Sequence, residues 1–346
     1  MPGIDRTGPP REPGRGISKL RRLAGRRVHP MLLTAVGLAL VPLLVANDYY
    51  MTVASLALIY IVIGSAFNLL YGYLGMLSFA QVAFLGIGGY TTSWFTMHTQ
   101  LWQPLAFLAA GLVAAGSAAV IGVATVRLTE GAFAIITLSF TLLCALIAAE
   151  WSSVTGGRQG VFGLPPPSIE VGSLTLTADT PRNYYILLAI FAWLALLLMR
   201  SVIVSRTGRI LIAIRDHEPL AKAQGYATHQ FKFWLFVLCA AITGIAGALH
   251  TFRLTAIDPS IFDFYLMQAM LIIVILGGAG TYWPVVISAV VFAVLPEALR
   301  TADDARLVIY GVLLVAGLLF VPQGLGGLVR DRRTSRRIAE IEGSRR

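Results

Sequence analysis

Apolar runs long enough to cross a bilayer recur along almost the whole chain, and no other feature constrains its fold so tightly. A spanning helix needs about 20 mostly apolar residues. In lipid, only helices and closed barrels satisfy their own backbone polar groups. Ten such runs lie at approximately 31–46, 51–71, 77–99, 103–126, 131–150, 183–204, 231–253, 264–280, 284–300 and 306–322. They predict an all-α polytopic integral membrane protein with about ten spans. Of the 346 residues, 13% are charged and 57% hydrophobic, whereas soluble domains carry about 25% charged residues. A pair of soluble domains of the same total length is thereby excluded. Gly86, Gly88 and Gly89 are expected to interrupt the third run. The eighth and ninth runs are short and meet at Gly277-Gly278-Ala279-Gly280 and Pro284. They either cross fully as two short spans or form a broken-helix hairpin that does not, and a broken helix is tolerated only inside protein or beside a cavity.

The net charge of +10 suggests nucleic acid until it is mapped. Eight basic residues fall in 1–30, one at Arg127, six in 200–232 and seven from Arg330 onward, which is 22 of the 27. None lies on an aromatic-interleaved patch, so no nucleic-acid partner is expected. With the N-terminal tail in the cytoplasm and the spans alternating, all 22 fall on the cytoplasmic side, as the positive-inside rule requires. The expected organisation is a disordered basic cytoplasmic tail at 1–30, a transmembrane domain at 31–328, and a basic cytoplasmic tail at 329–346. Within the membrane domain, 151–182 is an outer loop and 205–232 a cytoplasmic one. The first run, Met31 to Ala46, lacks a following A-x-A site and reads as a retained span. Cys144 and Cys239 both lie in apolar runs and read as small buried hydrophobes.

Chemistry is scarce. No Gly-Lys dipeptide occurs, so this chain has no Walker A loop with which to hydrolyse ATP. H-E-x-x-H and C-x-x-C are absent as well, and no metal site is expected. Ionisable residues inside the membrane are the usual mark of a proton or ion path. Here Glu150, Asp263 and Glu297 all lie near run ends. The deep polar residues are neutral: Asn68, Ser78, Gln81, Thr91, Thr92, Thr137, Ser139, Thr141 and Gln268. Such groups either line a hydrophilic path or bond one helix to the next. Gly111 with Ala115 and Gly244 with Ala248 are small-xxx-small pairs suited to close helix packing.

The stretch 205–232, SRTGRILIAIRDHEPLAKAQGYATHQFK, is the longest polar interval between apolar runs in the second half. Leu211, Ile214, Leu220 and Ala221 recur at roughly helical spacing among Arg209, Arg215, Asp216, Glu218 and Lys222. The pattern predicts two short amphipathic helices, broken near Pro219 and again at Gly225. It fits either a docking element or a solvated connector.

Residues 68–90, NLLYGYLGMLSFAQVAFLGIGGY, resemble the LNLLxGYxGxLSxGxxAFxGIGAY signature of the branched-chain amino acid ABC importer permeases. Arg127-Leu128 with 134–138 is similar to the family's RLRGxYxAIxTL. Residues 155–166 resemble its TGGxxGLxGIP loop, 275–280 its VLGGxGS, and Pro322-Gln323-Gly324-Leu325 its RPQG-L ending. The likeness covers roughly 45–328 in order, and the long TGG loop favours the M-type subunit over its H-type paralogue. Departures are Phe79-Ala80-Gln81 where Gly-His or Gly-Gln is commoner, Val321 in place of an arginine, and Pro219 in place of a small aliphatic residue.

The resemblance implies an ABC importer permease fold, with 205–232 as the coupling loop: SRTGRILIAIRDHEPLAKAQGY is similar to the family's SRxGRAxxAIRExExAAxAxGI. It assigns ATPase coupling to Arg209, Arg215, Glu218, Ala221 and Gly225. Of the deep neutral polar residues, Asn68, Ser78, Gln81 and Thr137, together with Phe84, are expected to line a substrate path. The resemblance implies no cofactor bound by this chain, with ATP and Mg on the partner ATPase. The implied partners are a paralogous permease subunit in a heterodimer, two ABC ATPase subunits, an extracytoplasmic solute-binding protein and membrane lipid. The implied cargo is a branched-chain or other hydrophobic amino acid, although related permeases carry urea and other small polar solutes. A stand-alone carrier or channel is the competing class; it calls for intramembrane charge and has no need of a docking loop.

Overall fold

A computed structural model describes residues 34–42, 47–99, 103–171 and 174–298, together with Met31 and Gly311. The two tails, and all of the tenth run but Gly311, lie outside the described residues. A helical stretch at 34–42 occupies part of the first run. Helix α1 (Asp48–Asn68) starts where the Asn47 side chain accepts the Tyr49 N–H at 2.9 Å, an N-cap that satisfies an otherwise orphaned donor. It runs directly into a π-helix, Leu69–Leu74, closed by Gly75 at φ 85°. Then follow α2 (Ala80–His98), α3 (Gln103–Thr125), α4 (Glu130–Glu150), α5 (Pro181–Val204), α6 (Arg206–Ala223), α7 (Thr228–Leu254), α8 (Phe264–Gly277) and α9 (Trp283–Ala298).

Five of these segments are long and apolar enough to cross a membrane: Asp48–Leu74, Gln103–Thr125, Glu130–Glu150, Pro181–Val204 and Thr228–Leu254. Helix α8 has 14 residues, about 21 Å at 1.5 Å per residue, which is short of a hydrocarbon core of about 30 Å. It turns at Gly278, φ 91°, and Gly280, φ 78°, into α9, the described part of the short paired element expected there.

The glycines of the third run do not interrupt it, contrary to the expectation above. Helix α2 is continuous through Gly86, Gly88 and Gly89, because each glycine faces a neighbour that leaves no room for a side chain. A Cβ on Gly88 would overlap the Gly244 carbonyl of α7, and one on Gly86 would overlap the Phe262 ring. From the other side, a Cβ on Gly247 would overlap the Leu85 carbonyl. Gly244 also faces α3, where a methyl would lie 2.5 Å from the Ala114 Cβ. So α2, α7 and α3 approach backbone to backbone, as small residues allow in membrane bundles. Gly111 belongs to the same contact, its Cβ position 2.9 Å from Ile245 Cγ1. Helix α1 packs on α5, α8, α9 and α7, and Gly64 admits the Ile273 side chain of α8. Most residues of α1 and α7 are buried, while α4 keeps an apolar outer face with Ile135, Leu142, Leu143 and Leu146 exposed.

The described residues of the 151–182 loop form turns and short strands. Gly156, Gly157, Gly160 and Gly163 all take positive φ. Strand β1 (Val161–Phe162) pairs antiparallel with β4 (Ala256–Ile257) just past α7. Strands β2 (Ser168–Val171) and β3 (Leu174–Thr177) form a hairpin with Ser168 opposite Thr177; the Thr-rich alternating piece supplies β3.

The glycine contacts predict a graded response. Gly88→Val should reduce the thermal stability of the detergent-purified chain, since overpacking costs about 1–3 kcal/mol and here the obstacle is backbone. Gly116→Ala, where an added methyl meets nothing within 4 Å, should leave the melting temperature where it is. Equal melting curves for both variants would refute the backbone contact.

Candidate functional site

Four segments, far apart in sequence, converge where α1 ends. Asn68 is 2% exposed. Its Nδ2 donates to the Thr281 carbonyl at 2.7 Å, and its Oδ1 accepts the Gly280 N–H at 3.0 Å. One amide side chain thus holds two consecutive residues of the α8–α9 turn. Gly72 makes the reach possible, because a Cβ there would overlap Asn68 Oδ1 and Gly280 N. The Gly72 carbonyl lies in the last turn, where helix acceptors lack an intrahelical partner. Arg215 of α6 fills that role, its Nη1 donating at 2.5 Å. The Arg215 stem crosses Gly75, whose Cβ position lies 2.8 Å from Arg215 Cγ. A cation at a helix C-terminus is also favoured by the dipole. Arg200 at the end of α5 stacks on Tyr282 and Trp283, at 5.5 and 5.6 Å from the ring centres, and holds the same turn from another side.

Helix α6 is two helices, as its sequence predicts, but the break lies at His217 rather than Pro219. His217 is extended, φ −161°, ψ 88°, and its Nδ1 accepts the Leu220 N–H at 3.2 Å. It acts as an N-cap, which leaves Pro219 in the first turn, where its missing N–H costs nothing. The second helix ends at Gly225, φ 87°. There Tyr226 N–H bonds the Ala221 carbonyl at 3.2 Å and Gly225 N–H the Lys222 carbonyl at 2.9 Å, the pair of bonds of a Schellman motif. Thr228–Lys232, grouped with the loop on composition, is the first part of α7.

Glu218 sits on the first turn of the second helix and turns inward. Its carboxylate accepts from Lys232 Nζ at 2.7 Å, Thr228 Oγ1 at 2.9 Å and Lys222 Nζ at 3.1 Å. Partial burial pushes its pKa upward, but these three donors outweigh burial and hold it down to about 2. The Lys232 side chain is only 8% exposed, so Glu218 neutralises a buried cation. Ala221 is buried too, at 2% exposed, whereas Leu220 is 56% exposed and Tyr226 also faces out. Arg209 is exposed. Leu220 was visible in the sequence only as one more apolar position on a helical face; its outward direction follows from the His217 break.

The proposed path residues all lie inside the bundle. Gln81 Oε1 accepts from Thr243 Oγ1 of α7 at 2.7 Å, while its Nε2 and the Ser78 hydroxyl are buried without a hydrogen-bond partner among the described residues. Thr137 accepts the Phe79 N–H at 3.2 Å, and Thr141 donates to the Phe79 carbonyl at 3.1 Å. Together they fix the entry to α2. Phe84 is buried between Phe236, 5.3 Å away edge-on, and Phe140 at 6.2 Å. Thr92 is also buried, whereas Ser139 and Gln268 are exposed on this chain. Asn68 and Arg215 therefore meet at Gly72, the first against its Cα and the second on its carbonyl. Ser78, Gln81, Phe84 and Thr137 cluster instead around α2, away from that junction.

Buried neutral polar groups among membrane-length helices, tied to a basic polar loop, define a multi-pass membrane transport permease. The chain belongs to the branched-chain amino acid transport system permease component family, whose model matches residues 49–320. It is 27% identical over 299 residues to the high-affinity branched-chain amino acid transport system permease protein LivM of Escherichia coli strain K12, covering 81% of this chain and 70% of that one. The LivM of Salmonella typhimurium strain LT2 is similar to the same extent. No solved structure matches. These relatives are transport permeases and not enzymes.

The pairing of Glu218 predicts a pH response in the loop. Its folded-state pKa is depressed, so its contribution is complete above the ordinary 4.5 and is lost as pH falls through about 2. Hydrogen exchange of the α6–α7 amides should accelerate over that interval beyond the intrinsic rate. Glu218→Gln, which strands Lys232, should raise exchange already at neutral pH. Unchanged protection in Glu218→Gln would show that the pair does not hold the loop.

Proposed function

We propose that this chain is the membrane-spanning subunit of an ATP-driven ABC importer for branched-chain and other hydrophobic amino acids. In this reading an extracytoplasmic binding protein delivers the amino acid. A paralogous permease subunit pairs with this one, and two ATPase subunits bind ATP and Mg; the chain itself holds no cofactor. The observation that carries the reading is the α6 element. It offers Leu220 and Tyr226 outward on either side of a Schellman turn. From the same element Arg215 is bonded to the end of α1. A partner that grips the outer side therefore pulls directly on the transmembrane helices as a rigid body. The relatives' names supply the cargo class, and the absence of a Walker A loop supplies the need for a separate ATPase.

Asn68, Ser78, Gln81, Phe84 and Thr137 supply the proposed path. Gln81 Nε2 and Ser78 Oγ are buried donors left unpaired, a costly arrangement that a passing polar group would relieve. In the orientation that puts 22 of 27 basic residues inside, the termini and α6 face the cytoplasm and 151–182 faces out. Cysteine labelling checks this: Ser168→Cys should react with an impermeant reagent on intact cells and Ser205→Cys should not, and the reverse pattern would overturn the orientation.

Gly225 gives a test of coupling. Nothing lies within 4 Å of its Cβ position, so a side chain there meets no steric obstacle within the chain. The cost is the positive φ alone, about 1 kcal/mol or more for a residue other than glycine. Gly225→Val should leave the amount of permease in the membrane unchanged, weaken co-purification of the ATPase and lower leucine uptake several-fold. A variant that keeps its ATPase and transports normally would exclude docking through this turn. Uptake of labelled urea but not leucine by wild-type cells would replace the cargo assignment.

A further inference from the structure

The end of α7 remote from α6 borders a cavity of about 460 Å³, within the range of about 300–1,000 Å³ typical of small-molecule sites. Arg253 forms part of its wall. The Arg253 Nε is buried without a hydrogen-bond partner, and none of the ion pairs among the described residues involves Arg253. His250 Nδ1 on the same wall is likewise buried and unpartnered. A part-buried guanidinium whose Nε has no partner among the described residues is costly, and a bidentate carboxylate is the partner that best matches its fork. Asp258 and Asp263 line the same cavity. The Asp258 carboxylate is fixed by the Ser260 N–H at 2.7 Å. The rest of the wall includes Leu56, Ile257, Ile261 and Leu266.

We propose that this cavity binds the transported amino acid, with its α-carboxylate on Arg253, its ammonium towards Asp258 and Asp263, and its aliphatic side chain on the apolar wall. The proposal rests on the reading that the cargo is an amino acid. The charge pattern selects among ligands. An inorganic dianion would be repelled by the two aspartates, and urea has no charge for either pole. The wall segment 256–258 is backed by the glycine-rich loop: β1 pairs with Ala256–Ile257, and Gly160 lies so close to the Ile257 carbonyl and Asp258 that a Cβ there would overlap them. The loop that closes the outer end of the bundle therefore also shapes the cavity.

The test uses the full-length chain with its co-expressed partner subunits in nanodiscs, without the binding protein, so that the binding protein's own selectivity does not enter. Leucine binding is measured by saturation-transfer NMR, with leucinamide and isovalerate as analogues that each lack one charge. Leucine should bind, and each analogue should bind at least tenfold more weakly. Arg253→Gln should weaken leucine at least tenfold and abolish the difference between leucine and leucinamide. Arg253→Lys, which keeps the charge but loses the fork, should fall between. If Arg253→Gln fails to reach the membrane, the analogue series on the unaltered protein decides. Leucinamide binding as tightly as leucine, or leucine affinity unchanged in Arg253→Gln, overturns the proposal. Leucine uptake in cells is followed in parallel. Chain-dependent uptake alongside a negative binding result rejects this cavity alone, whereas absence of any amino acid uptake rejects the cargo assignment itself.

Discussion

The side-chain amide of Asn68 is the contact on which the rest of the arrangement hangs. It satisfies two backbone groups of the α8–α9 turn at once, and it does so one residue before α1 changes from α to π geometry. Without it, a donor and an acceptor of an irregular turn would be left partly buried and unpaired, at about 1–3 kcal/mol for each group. Gly72 is required for the approach, and its carbonyl then receives Arg215. Three segments separated by 143 and 213 residues are thereby bonded through a few atoms. π-helical turns occur disproportionately at functional sites, and this one is where the polar loop and the short hairpin both meet the longest buried helix.

Helix packing around that junction depends on what is missing from side chains rather than on what is present. Lipid tails are as apolar as leucine, so helices gain little from burying leucine against each other. The tightest contacts in the chain are backbone against backbone, at Gly88 with Gly244 and at Leu85 with Gly247. The bulky apolar residues point outward instead, as on α4 and α3, where Leu112, Val120, Ile135 and Leu146 are among the most exposed side chains. An exposed Leu in a soluble domain would be a liability; on a lipid-facing helix it is the ordinary solution.

The five membrane-length helices among the described residues were legible in the sequence, because hydropathy is a sum over local residues and needs no knowledge of neighbours. The Gly225 turn was legible for a similar reason, since a glycine after a basic amphipathic run is a local stop signal. Gly86, Gly88 and Gly89 were misread because a glycine's effect depends on what faces it, and Gly244 lies 156 residues on from Gly88 in sequence. Long-range pairing hid the inward halves of the loop as well. Arg215 and Glu218 look alike as exposed charges on a helical wheel. Yet the first is bonded to Gly72 and the second to Lys232, neither of which the local pattern indicates. The resemblance to a family brought these residues to notice without saying which way they point.

The location of Gln81 constrains how a proposed route through this chain can work. Its carbonyl oxygen is bonded to Thr243, the residue next to Gly244 in the closest helix contact of the fold. A solute that reached the Gln81 amide would have to part α2 from α7 where their backbones touch. A dense interface of that kind does not widen by degrees; it is packed or it is separated. Transport along this route therefore calls for two discrete packings of α2 on α7 rather than a standing pore. The energy to change between them must arrive from outside the bundle. The connection available for that input is already built: α6 grips the end of α1 through Arg215, and Glu218 grips the start of α7 through Lys232. One element, α6, thus holds both the helix that carries the turn and the helix that faces Gln81.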